Sequence, residues 1–126
     1  MSTGESRTCT FLLAPEGFII ATMKEGATFD LEDARESVAV TWQVAGETRR
    51  PVLVDTRGVR AQSKEARQYF MSPEAERRVC AVALLVGSPV SRVIANFFLR
   101  MGEPSIPTQV FSDFDAARAW VLERVP

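Results

Sequence analysis

The sequence predicts an α/β protein, a single domain with a mixed β-sheet flanked by helices, and three observations predict it. Residues 9–13 and 18–23 are apolar runs flanking Ala14-Pro15-Glu16-Gly17, where proline presets the backbone and glycine permits a positive φ, the signature of a β-hairpin. Beyond the hairpin, short apolar runs alternate with segments whose apolar residues recur every three or four positions, as in strands joined by helical crossovers. Residues 79–86 are apolar throughout, so that strand is expected inside the sheet with both faces covered. The expected order is β-β-α-β-α-β-α-β-α over residues 1–126, with residues 1–7 disordered or frayed.

Each later element has its own signals. After a turn at Lys24-Glu25-Gly26, Asp30 stands as an N-cap ahead of Leu31, Ala34, Val38, Trp42 and Ala45, and Gly46 suits the C-terminal side of that helix. Residues 51–55 form a short apolar run that ends in Asp55 and the turn Thr56-Arg57-Gly58, a central strand. Ser63 caps a second helix that turns Ala66, Tyr69 and Phe70 inward, and Ser72-Pro73-Glu74 reads as a break with a fresh helical start. Ser88 and Pro89 repeat the cap-plus-proline start for a third helix. Val90, Val93, Ile94, Phe97, Phe98 and Met101 give it one broad apolar stripe, ended by Gly102. Residues 103–107 are a stiff connector to a last strand at 108–111. Ser112 and Asp115 have capping-box spacing for a final helix burying Phe114, Ala117, Trp120 and Val121.

Composition narrows the function classes. The chain is 46% hydrophobic and 25% charged, enough apolar content for a packed core. Fifteen basic and sixteen acidic residues leave a net charge of −1, so no overall field gathers a nucleic acid. The longest apolar run, residues 79–86, is far short of the roughly 20 residues of a membrane-spanning helix. The polar residues 1–8 lack a signal-like apolar stretch, and a cytoplasmic protein is expected. Cys9 and Cys80 fall within apolar runs, where reduced thiols behave as small hydrophobes. There is no histidine, which excludes Ser-His-Asp triads, Cys-His dyads and HExxH zinc sites. Neither a catalytic pair nor a cofactor or metal site is expected.

The element order, with Val-Leu-Val-Asp-Thr-Arg-Gly-Val at positions 52–59 leading into a Ser-capped helix, resembles the STAS domains of bacterial anti-sigma-factor antagonists, the SpoIIAA-like fold. It is similar to uncharacterised actinobacterial proteins described as STAS-like or SEC14-like, in which a run like Gly87 to Phe98 is expected. The resemblance implies a regulatory module that binds a protein partner, with a homo-oligomer possible. In STAS antagonists the second helix opens with Asp-Ser-Ser-Gly, whose first serine is the phosphorylated switch. The register set by Asp55 and Gly58 places Ser63, Lys64, Glu65 and Ala66 on those positions, so Lys64 stands where the phosphoacceptor would be. A shift of one residue would make Ser63 the acceptor, while its simpler role is to cap the helix.

In open α/β sheets, ligands bind beyond the carboxyl ends of parallel strands. That edge would gather Asp55, Arg57, Ser63, Lys64 and Arg67 from one connection and Ser88, Ser91 and Arg92 from the next. Two readings stand for the second group. The helix N-terminus with Arg92 holds a small anionic or lipid-like ligand, or Ser88 only caps and Arg92 is solvated. Asn96, on an otherwise apolar helix, is either engaged through its amide or turned to water.

Overall fold

In the computed structural model, which describes residues 2–100 and 105–126, the apolar runs assemble into one six-stranded sheet. Its strands are β1 (Thr3–Glu5), β2 (Cys9–Leu13), β3 (Ile19–Met23), β5 (Arg50–Asp55), β7 (Val79–Leu85) and β8 (Thr108–Phe111), side by side in that order. β1, β2 and β3 pair antiparallel, whereas β3, β5, β7 and β8 pair parallel. β4 (Ala27–Phe29) and β6 (Val59–Gln62) form a separate two-stranded parallel ribbon. The expected inner strand is β7, between β5 and β8.

The helices are α1 (Leu31–Ala45), α2 (Lys64–Phe70), α3 (Pro89–Arg100) and α4 (Phe114–Leu122). Alternation along each strand sorts side chains between two layers. The register aligns Ile19, Val52 and Val82 on the face covered by α1, α2 and α3, and Ile20, Leu53 and Ala83 on the face covered by α4. Asp30 caps α1 in a reciprocal box with Asp33, and Gly46 closes the helix at φ 70°. Ser63 caps α2 by accepting from the Ala66 amide at 3.1 Å.

Several expectations are corrected. Residues 3–5, expected to be frayed, form β1. Gly4 lies so close to α1 that a Cβ there would sit 2.6 Å from Val40 Cγ1, and the Arg7 guanidinium donates to both Asp33 carboxylate oxygens at 2.7 Å. These contacts join residues far apart in sequence. β4 and β6 are additional strands. The break after α2 is real, but residues 71–78 continue as turns, with Ser72 Oγ accepting from the Ala75 amide, rather than as a new helix. α4 is capped by Asp113, one residue beyond the expected Ser112. The α3 stripe is rotated: Ser91, Ile94 and Ala95 are buried, while Val90 and Val93 are 40% and 68% exposed. Met101, Gly102 and the start of the 103–107 connector lie outside the described residues.

At the turn after β5, Gly58 packs against the turn after β3. A Cβ on it would lie 2.8 Å from the Met23 carbonyl oxygen, and its own carbonyl accepts from the Gly26 amide at 2.8 Å. This anchors the start of the β4–β6 ribbon, whose far end delivers Gln62 and then the α2 cap.

Candidate functional site

At the carboxyl edge of β5 and β7, four of the nine expected residues bond to one another, Asp55 with Arg57 and Ser88 with Ser91. Arg57 grips Asp55 through both guanidinium and backbone donors, at 2.8 to 3.0 Å. Its stem passes over Gly87, within 2.9 Å of where a Cβ would stand. At the start of α3, the Gly87 and Ser88 amides donate to Ser91 Oγ at 3.0 and 2.9 Å, and the Ser91 amide donates to Ser88 Oγ at 3.0 Å. Those donors therefore already have partners, so the capping reading describes them. Arg92 and Asn96 are exposed, as is Lys64. Arg67 instead turns inward: Nη1 donates to the Gln62 carbonyl at 2.7 Å, and the guanidinium lies 4.6 Å from the centre of the Phe97 ring.

A cavity of about 420 Å³ lies between the sheet and the α1, α2 and α3 layer. Ala21, Val52, Val54 and Val82 line it from the sheet, Val38 and Ile94 from the helices. The short side chains leave space, and α2 ends after seven residues, so turn residues rather than a helix complete the wall. Exposed Pro73 and Ser105 mark where it meets solvent, and Ser105 Oγ donates there to the Glu76 carboxylate at 2.8 Å.

The polar groups lining this cavity are not equivalent. Ser37 Oγ lies 3.3 Å from Thr8 Oγ1 and 3.2 Å from Ser6 Oγ, and Thr41 Oγ1 donates to the Ser37 carbonyl at 2.8 Å. Burial pushes the Cys9 thiol up, which keeps it neutral at pH 7. Gln62 differs from all of these. It is only 8% exposed, yet neither Oε1 nor Nε2 has a hydrogen-bond partner. Both amide atoms have less than 1 Å² of accessible surface, so the amide is enclosed by protein, an unusual state because buried amides are nearly always paired. Among the described residues, Glu76 is the one charged side chain lining the cavity.

The sequence reading missed both the cavity and Gln62. A polar residue closing a four-residue strand carries no mark in the sequence, and a void exists only once the layers are packed.

A family model described as a domain of unknown function, DUF7793, matches residues 11–124. The chain belongs to that family. It is similar in structure to an uncharacterised protein of the DUF3478 family with a SpoIIAA-like fold from Shewanella loihica PV-4. The identity is 12%, the TM-score 0.58, and the match covers 95% of this chain and 90% of that one. This DUF7793 domain thus has the SpoIIAA-like fold that its element order implied. A protein of unknown function from Arthrobacter sp. FB24 is also similar, at 28% identity over 88% of this chain and 96% of that one, with a TM-score of 0.35. No curated protein matches. No helix among the described residues is long and apolar enough to cross a membrane.

Proposed function

We propose that this DUF7793 domain is a binding module rather than an enzyme, and that it holds a small, predominantly apolar molecule between its sheet and the α1, α2 and α3 layer. The observation that carries this reading is the cavity of about 420 Å³, lined mainly by apolar side chains such as Ala21, Val54 and Ile94. Apolar cavities of about 150 Å³ already accept benzene, and ligand pockets typically span roughly 300–1,000 Å³. An empty apolar void forfeits dispersion contacts that an apolar occupant restores. A ligand at 100 times its Kd would add about 2.7 kcal/mol of stability.

The neutral apolar dye N-phenyl-1-naphthylamine tests this directly. It is expected to bind with increased fluorescence and to raise the melting temperature, and native mass spectrometry of the protein from its source is expected to show a co-purified small molecule. Absence of dye binding, of a melting shift and of any co-purified mass would overturn the reading.

A second reading, a regulatory module for a protein partner, is favoured by the exposed Val90 and Val93 on the flank of α3. Phe97 on the same helix meets Arg67 from the Asp55–Arg67 segment. In this reading the usual phosphoswitch is lost, with Lys64 at the acceptor position and Ser63 engaged as a cap. The same native mass spectra distinguish the two, because this reading expects protein complexes or oligomers without a small ligand.

A further inference from the structure

We infer that the cavity takes a single-tailed amphiphile tail first, with the head group left at the mouth beside Glu76, and that this head group is uncharged or cationic. The inference rests on the cavity reading above and deepens it.

Among the described residues, the polar groups deep in the lining are already bonded or enclosed. Ser37 Oγ is held by the Thr8 and Ser6 hydroxyls, and Cys9 Sγ lies against Thr8 Oγ1 and Ser37 Oγ at 3.8 and 3.9 Å. Thr41 Oγ1 donates to the Ser37 carbonyl and Thr108 Oγ1 to the Ile106 carbonyl, at 2.8 and 3.1 Å. The Gln62 amide is shut away within the protein. A head group carried inside would lose its water without replacing it, whereas an alkyl tail gains dispersion contacts along Ala21, Val54 and Ile94. The volume of about 420 Å³ is nearly three times the roughly 150 Å³ that accepts benzene, which gives room for one tail of about eight carbons.

Charge at the mouth decides the head group. Exposed Ser105 donates to the half-buried Glu76 carboxylate, 2.8 Å from each oxygen, so the one charged lining group among the described residues stands where the cavity opens. It repels a carboxylate or phosphate, attracts an ammonium and accepts from a hydroxyl. A head group there also keeps most of its water, so a cation avoids the penalty of burial. The two arginines that follow Glu76 are turned elsewhere. Both the Arg77 and Arg78 guanidinium groups lie 6.0 Å from the centre of the Trp42 ring, Arg78 donates to the Gly46 carbonyl, and neither lines the cavity.

The test is displacement of N-phenyl-1-naphthylamine, on the wild type and on Glu76→Gln, by probes with one eight-carbon tail: 1-octanol, octyl glucoside, octyltrimethylammonium and octanoate, each below its micelle concentration. 1-Hexanol supplies a shorter tail. Each methylene added between hexanol and octanol is expected to tighten binding about fourfold. Octyl glucoside is expected to displace the dye within about threefold of 1-octanol, because its sugar stays in water either way. Octyltrimethylammonium is expected to bind about two- to fivefold more tightly than octanoate, the scale of a solvent-exposed charge contact. Glu76→Gln keeps an acceptor for Ser105, and it is expected to melt with the wild type, to leave the 1-octanol affinity unchanged and to abolish the difference between the two ions. Octyl glucoside binding at least about tenfold more weakly than 1-octanol would place the head group inside and overturn the inference, leaving the cavity reading intact. Octanoate binding as tightly as octyltrimethylammonium on the wild type, or a preference that survives Glu76→Gln, would overturn the role of Glu76. Equal affinities for hexanol and octanol would overturn the placement of the tail. Failure of the dye to bind would overturn both readings.

Discussion

The two faces of the sheet use the same strands and alternate residues, yet they are packed differently. Against α4, Phe18, Leu53, Leu85 and Val121 are buried to 1% exposure or less, and Phe111 and Trp120 close the layer with ring centres 5.9 Å apart. Against α1, α2 and α3, three helices and a set of turns surround a hollow. The hollow side is held at its margin by polar clamps: Arg7 on Asp33, Arg67 on the Gln62 carbonyl, and the Ser6, Thr8 and Ser37 hydroxyls. Protein interiors normally reach crystal-like density, so the contrast within one sheet is between a face filled throughout and a face whose buried core surrounds a cavity.

The largest expected effect is on the packed face. Leu53→Ala should cost about 2–5 kcal/mol in urea unfolding, because its neighbours are too closely packed to collapse into the gap. A loss below about 1 kcal/mol would show that this face is loose as well. Ala83→Leu on the same face should cost about 1–3 kcal/mol through overpacking. Arg7→Ala tests the margin of the hollow face, with a smaller expected loss, because the pair is screened by solvent on the arginine side. Arg7 beside Asp33 holds that carboxyl at about 2, against an ordinary value of 3.8. A depressed carboxylate contributes its stability above its unfolded value, and the contribution is lost as pH falls from about 4 through about 2. The variant should therefore show a flatter stability profile across that interval in acid titrations followed by circular dichroism. The smallest effect is expected for Ala21→Leu, which points into the cavity. It should shift stability by less than about 1 kcal/mol, in contrast to Ala83→Leu, while abolishing dye binding.

Much of the architecture was legible because its signals are local. Asp30 and Ser63 announced α1 and α2 by side-chain oxygens at cap positions, and the unbroken valine-rich run placed β7 inside the sheet. The misreadings occur where distant partners decide. β1 exists because Gly4 lets α1 approach and Arg7 reaches Asp33. β4 and β6 are too short for periodicity and are strands only by pairing with each other. Apolar spacing in α3 predicts a stripe that includes Val90 and Val93 along with Ile94, Phe97, Phe98 and Met101. Instead, Ser91 is buried because it satisfies the amides at the start of its own helix, which turns Val90 and Val93 outward. Of the proposed site residues, Arg67 is the one that bonds to the backbone carbonyl of a cavity-lining residue, Gln62. Gln62 itself was invisible, since a polar residue becomes conspicuous only when packing withholds its partners.

Gly58 extends this logic to a residue with no side chain. It is the fulcrum of a short lever whose other end, four residues and roughly 13 Å of extended chain away, carries the Gln62 amide. A single methyl at the fulcrum would pry it from the Met23 and Lys24 carbonyls and swing the tip. The placement of that enclosed amide is thus set by a position four residues away that never touches it.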